Sequence, residues 1–215
     1  MTVNRTMWVI AVALCLLANP AALLASGKGR VAVETVSNST QQALSALEID
    51  NLMYMREEEK LARDVYLTMF DVWGLAVFKN IAASEQTHTD SVKDMIEKYR
   101  LADPVVDDTV GVFVNQELAT LYATLIARGT QASLEALYVG AFIEEVDMVD
   151  LQRAIDETDN TDIRQLYENL MTGSRNHLRA YVGQIEDLGV VYEAQYLSQD
   201  EVDAIVDSPI ERGRR

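Results

Sequence analysis

Four long stretches of this chain repeat apolar side chains at spacings of three and four residues, and no strand-like alternation runs for any length. That period puts each apolar set on one face of an α-helix, so the chain must bury its hydrophobic surface by packing helix on helix. Capping chemistry sets the boundaries. Ser45 and Glu48 form a capping-box pattern that opens the first helix, which runs to about Trp73 with Gly74 as its stop. The second spans roughly Leu75 to Arg100 and ends before Asp103-Pro104. A shorter helix is begun by Asn115 and closed by Gly129. The third long helix runs from about Ala132 to Glu157, and the polar residues 157–162 turn the chain. The fourth starts near Thr161 and reaches Leu188 before Gly189; a last short helix opens with Ser198 and Glu201 and stops before Pro209.

The connections decide the topology. Those after the first and third long helices are short, which makes two antiparallel hairpins. The connection between the hairpins, residues 101–131, can run the length of a bundle. The predicted fold is all-α: a four-helix bundle over residues 45–208, with one long crossover carrying a short extra helix and a short C-terminal helix beyond. Residues 209–215 read as a tail. With 10 Gly and 3 Pro in 215 residues, helix breakers are scarce enough for this.

Ahead of the bundle, Arg5 precedes the uncharged apolar run Met7–Leu17, followed by Pro20 and small residues ending near Ala25. This is the layout of a secretory signal over residues 1–25, with the polar residues 26–44 as a linker. Leu23 is bulky for cleavage after Ala25, so an uncleaved N-terminal membrane anchor is the alternative. Either way the expected location is outside the cytoplasm, periplasmic or secreted. Cys15 is the only cysteine. A protein cut after Ala25 therefore has no disulfide, zinc–thiolate site or iron–sulfur centre. With 18 Lys+Arg against 34 Asp+Glu the formal charge is −16, a surface that repels nucleic acid and anionic lipid.

Each apolar stripe is interrupted near its middle. On the second long helix the stripe Phe78, Ile81, Glu85, His88, Val92, Met95, Tyr99 carries Glu85 and His88 one turn apart. The first helix has Glu59 between Met55 and Ala62, the third has Glu144 with Asp147 adjoining, and the fourth has Ser174 and His177. Both histidines of the chain fall at these interruptions. Four unpaired carboxylates in one core would each cost several kcal/mol, against a total stability of about 5–15 kcal/mol. No Lys or Arg lies on the stripes, so two divalent cations are the simplest compensation. Carboxylate and imidazole without sulfur suit iron or manganese, and zinc less specifically. Two assignments stay open. Glu58 rivals Glu59 in a charged run, Arg56 to Lys60, where most side chains are expected to face water; Glu145 rivals Glu144.

Residues 55–66 (MREEEKLARDVY), 81–88 (IAASEQTH), 140–151 (GAFIEEVDMVDL), 173–181 (GSRNHLRAY) and 195–198 (QYLS) resemble the ferritin-like family DUF2202. The resemblance covers about residues 46 to 207 and implies a ferritin-like, di-iron fold without a settled activity. More distantly, Glu59 with Tyr66 seven residues on, and Glu85-x-x-His88, are similar to the first two helices of ferritins and rubrerythrins. On that likeness Glu59 and Glu144 would be terminal ligands, Glu85 a bridge, and His88 and His177 one imidazole per iron. The fourth helix departs from the pattern. It offers Ser174-x-x-His177 where a second Glu-x-x-His is usual, and Asp147 is the expected replacement. Two functions follow: oxidation of Fe(II) or reduction of O2 or peroxide, with any other electrons from a separate donor, or non-catalytic metal binding or storage. Ferritin-like bundles often pair along a helix face, so a homodimer is expected.

Overall fold

A computed structural model describes residues 43–212, and within them the protein is all helix, without strands. The helices are α1 (Ala46–Trp73), α2 (Ala76–Lys98), α3 (Gln116–Gly129), α4 (Ser133–Glu157), α5 (Thr161–Asp187) and α6 (Gln199–Val206). Every bound falls within two residues of the position expected from capping. The Ser45 hydroxyl accepts from the Glu48 amide at 3.2 Å while the Glu48 carboxylate accepts from the Ser45 amide at 2.8 Å, closing the box. Gly74 ends α1 in the left-handed region, φ 67°, where its amide reaches the Phe70 carbonyl at 2.8 Å. The Asn115 side chain caps α3 and the Ser198–Glu201 box caps α6. The expected signal segment and most of the linker lie outside the described residues.

The short links fold α1 onto α2 and α4 onto α5, and the two hairpins close through α1 on α4 and α2 on α5. The crossover with α3 lies against α1 and α4, and α6 against α5. Leu52, Val65, Tyr66, Phe78, Val92, Leu151, Tyr167 and Tyr181, all fully buried, fill the space between the long helices. Among the described residues no helix is long and apolar enough to cross a membrane.

One expectation about α1 is overturned. The run Arg56 to Lys60 does not face water; every residue from Met55 to Tyr66 is buried. The crossover covers the outer side of α1, and the charges there bind it. Glu57 accepts from the amides of Val114 and Asn115, at 2.6 and 3.0 Å. Lys60 donates to Asp64 at 2.5 Å and to the Thr109 carbonyl at 3.0 Å. Arg63 pairs with Asp64 and Asp108, and Arg56 with Asp103 and the Thr89 carbonyl. A stripe-by-stripe view of the sequence treats each helix as having one dry face. It has no means of showing that a connection will dry the other.

The C-terminal residues 209–212 likewise bind rather than trail. Glu211 accepts from Arg175 at 2.5 Å and Arg179 at 2.9 Å, which ties the segment to α5.

Candidate metal centre

Midway along the four long helices, the interrupted stripes meet. Glu59 comes from α1, Glu85 and His88 from α2, Glu144 and Asp147 from α4, and His177 from α5. Glu85 lies between the two imidazoles. Its Oε2 is 2.7 Å from His88 Nδ1 and its Oε1 is 2.7 Å from His177 Nδ1. Each imidazole also faces a carboxylate of its own: Glu59 Oε2 stands 3.3 Å from His88 Nδ1, and Glu144 Oε2 stands 3.4 Å from His177 Nδ1. The two rings stack with centroids 5.3 Å apart. Glu85, His88 and His177 offer ligand atoms close enough together to hold one ion.

These contacts are close but not aligned. His88 Nδ1, His177 Nδ1, Glu59 Oε1 and Asp147 Oδ1 are buried and make no hydrogen bond of acceptable geometry. Polar atoms left so in a core are costly, and natural structures keep few of them. Nitrogen and oxygen atoms that crowd together without N–H···O alignment have their lone pairs converging on common points, which suits a shared cation. Coulomb attraction needs no alignment, and it shows in the titration of the groups when no metal is bound. Burial lowers the imidazole of His177, but Glu85 and Glu144 more than reverse this and raise it to about 10. His88 is raised in the same way by Glu85 and Glu59. Burial would raise Glu85, yet His177 and His88 on its two sides hold it below the usual carboxylate range. Burial pushes Glu59 up to about 7, and it raises Glu144 and Asp147 too.

The surroundings of the two imidazoles differ. His177 Nε2 is 2.9 Å from the Ser84 hydroxyl, a contact that can hold the proton on Nε2 and leave the Nδ1 lone pair facing the carboxylates. Glu144 is held as well, because the Tyr66 hydroxyl donates to its Oε1 at 2.5 Å. Tyr66, Phe78 and Tyr181 form an aromatic cluster beside it. His88 is seated by shape. Its ring passes over Gly173 of α5, where a Cβ would stand 2.5 Å from both Cε1 and Nε2.

The rival carboxylates have different partners. Glu145 is buried but spoken for: it accepts from the Tyr192 hydroxyl and from the amides of Gln195, Tyr196 and Leu197, so it anchors the segment after α5. Glu144 is the residue that reaches the imidazoles. Glu59 does so from α1, while Glu58 makes no contact with either imidazole, and burial, with Asp150 and Asp147 nearby, pushes its carboxyl well up. Ser174, which interrupts the expected motif, donates to Asp147 Oδ2 at 2.5 Å. Nothing in the sequence pattern marks Ser84, Gly173 or the role of Tyr66. Ser84 adjoins Glu85 and Gly173 adjoins Ser174, but only the helix–helix register shows what they touch.

A family model for DUF2202, described as an uncharacterized protein domain, matches residues 48–209. The chain is 50% identical over 181 residues to the uncharacterized protein MJ0754 of Methanocaldococcus jannaschii, covering 84% of this chain and 98% of that protein. The crystal structure of that hypothetical protein superposes with a TM-score of 0.78, covering 81% of this chain and all of the other.

Proposed function

The chain belongs to the DUF2202 family, and from the arrangement of its buried donors we propose that it is a ferritin-like four-helix bundle holding two metal ions, iron first among them, where Fe(II) is oxidised or O2 or peroxide reduced. The observation that carries this reading is the double use of Glu85, one oxygen toward each imidazole. Each imidazole then has a carboxylate of its own, so two donor sets share one carboxylate. A single ion held by Glu85, His88 and His177 would leave the carboxylates of Glu59 and Glu144, each facing one imidazole, without a cation of their own. The buried Lys and Arg side chains of α1 do not compensate these acids, because they are engaged by Asp64, Asp103 and Asp108.

Glu59 and His88 would hold one ion, Glu144 and His177 the other, with Glu85 common to both and the free Oδ1 of Asp147 within the same core. Asp147 and Ser174 together then occupy the place of the carboxylate that α5 lacks. Two iron ions in such a setting supply two-electron exchange with O2 or peroxide. The chain's own part is positional. Ser84 keeps the His177 lone pair on the inner nitrogen, and Tyr66 engages the outer oxygen of Glu144 so that Oε2 stays turned inward. The Tyr66–Phe78–Tyr181 cluster is fully buried and keeps water from that side. The described residues contain no cysteine, so further electrons come from Fe(II) itself or from a separate donor. On the strength of the apolar run before residue 26, we place this chemistry outside the cytoplasm.

Metal-depleted protein loaded anaerobically with Fe(II) should retain about two ions per chain by elemental analysis, in line with carboxylate-bridged bundle sites. Repeated oxidation of added Fe(II) on exposure to O2 or peroxide marks an enzyme, and a single stoichiometric round marks storage. Unchanged metal content in a His88→Ala/His177→Ala double variant would sink the metal reading altogether.

A further inference from the structure

The carboxylates around the imidazoles are shut away, and the imidazoles are not. The side chains of Glu59, Glu85 and Glu144 are 2% exposed, whereas that of His88 is 12% exposed and that of His177 9%. Both Nδ1 atoms are buried, so this exposure falls on the outer edges of the rings. The outer edge of His177 meets Ser84, whose hydroxyl is 2.9 Å from Nε2, and that of His88 passes over the bare backbone of Gly173. Ser84 and Gly173 are themselves partly exposed. One lies on α2 and the other on α5, so the wall of the centre is thinnest at the seam between these helices.

The other sides are covered. The crossover dries α1, and the rings of Tyr66, Phe78 and Tyr181 are fully buried beside Glu144. Asp147 has one oxygen taken by Ser174 and the other buried. With α3 against α1 and α4, and α6 against α5, no further helix among the described residues is packed on α2. The seam is also without charge. Ser84 and Gly173 carry none, and imidazoles that hold a metal ion do so in the neutral form. The charged side chains two residues from the imidazoles are engaged elsewhere, Asp90 by Gln86 and both Arg175 and Arg179 by Glu211. A narrow opening without charge disfavours an ion, which would shed its water with nothing in return, and passes a small neutral molecule. We propose that O2 or hydrogen peroxide reaches the centre through the α2–α5 seam, between Ser84 and Gly173, and that the imidazole edges narrow this port enough to exclude bulky organic hydroperoxides. The inference rests on the two-ion reading for what the oxidant meets, but the opening itself can be measured without metal.

The test uses the whole chain, first metal-free, with histidine, tyrosine and phenylalanine isotopically labelled and dissolved O2 as the paramagnetic probe. The chain has 2 histidines, so each ring gives its own signals. O2 should speed the relaxation of the His88 and His177 ring protons several times more than that of the Tyr66 and Phe78 ring protons on the closed side. Thr87 and Ala180 are exposed, one turn from Ser84 and His177, and neither belongs to the donor set. Thr87→Trp/Ala180→Trp should lay indole over the seam and bring the imidazole protons down to the level of Tyr66. Thr87→Trp alone should do so in part, and guards against a folding defect. Loaded with iron, the double variant should keep its full metal content and take up Mn2+ at the wild-type rate, yet react several times more slowly with hydrogen peroxide. The wild type should react far faster with hydrogen peroxide than with cumene hydroperoxide. Imidazole protons that relax no faster than those of Tyr66, or that neither tryptophan variant affects, overturn the port. Mn2+ uptake slowed as much as the peroxide reaction makes the seam a cation route and overturns its assignment to a neutral oxidant. An open seam in a chain that retains no metal overturns the pair and not the opening.

Discussion

Helix α1 carries two sets of buried charges, five residues apart at Glu59 and Asp64, and they are solved in opposite ways. Around Asp64, fully buried, the chain answers every acid itself: Lys60 and Arg63 bind the carboxylate from two sides, and the Gly111 amide donates at 2.9 Å. Around Glu59 the chain supplies no Lys or Arg, only two imidazoles squeezed between carboxylates, and several oxygens and nitrogens stay without aligned partners. Burial is the same in both. What separates a structural carboxylate from a candidate ligand is whether the chain has exhausted its own means of compensation.

The comparison breaks most visibly at Asp64. Removing one member of a buried ion network leaves the others charged and dry, at about 3–5 kcal/mol. Asp64→Ala, which strands Lys60 at 0% exposure, should lose about that much stability in urea unfolding, by the same amount with and without metal. A loss confined to the metal-loaded protein would mean that the two sets are not separate.

The complementary variant is Glu85→Gln. It removes the only carboxylate common to both imidazoles, so both ions should be lost. Stability then falls by the linkage contribution of metal, about 2.7 kcal/mol per site at a hundredfold excess over Kd, on top of the loss that the metal-free protein shows when the two imidazoles lose their shared carboxylate. Wild-type metal content in this variant would remove Glu85 from the centre of the scheme.

Acidity sharpens the contrast further. Without metal, His177 holds its proton to about 10 and Glu59 to about 7, each above its unfolded value of 6.5 and 4.5. A group raised in this way stabilises the metal-free fold below its unfolded pKa and loses that contribution as pH climbs through the folded one. Metal-free stability should therefore fall from about pH 4.5 to 7 through Glu59, and from about 6.5 to 10 through His177. Metal affinity moves the other way, because ligands must shed their protons to bind, and each proton displaced is worth about tenfold per pH unit. Metal titrations at several pH values should show affinity rising with pH, more steeply below about 7, where Glu59 contributes. Affinity independent of pH would exclude these groups as ligands.

How much of this could be read from the chain alone follows the same division. Periodicity and caps carried the helices, because Ser45, Gly74, Asn115 and Ser198 act within a few residues of themselves. Both histidines and the carboxylates beside them stood out because they break apolar stripes. The burial of the Asp64 network does not show in the sequence, since its partners beyond α1 come from a crossover 45 residues or more along, and irregular backbone has no period to betray which face it will cover. Glu145 illustrates the limit: next to Glu144 it has the same residue type and the same burial, and only the amides of residues 195–197 tell the two apart.

The smallest expected effects lie within the centre, between its two halves. His177 is oriented by a hydrogen bond and His88 by a close-fitting glycine, so each half has its own point of failure. Ser84→Ala should free the His177 tautomer and weaken one ion by roughly tenfold, the lower end for the loss of a ligand's orienting partner. Gly173→Ala should push His88 aside, because neither ring atom at 2.5 Å can tolerate a methyl group and the imidazole has Glu85 and Glu59 on its other edge. It too should weaken one ion, but the other one. Combining the two variants then separates the possibilities. Independent halves give losses of affinity that multiply, while a pair coupled through Glu85 gives a double variant that has already lost both ions. Sequential binding isotherms of Mn2+ to the four proteins read this directly, and losses confined to the same ion in both single variants would show that His88 and His177 serve one metal position instead of two.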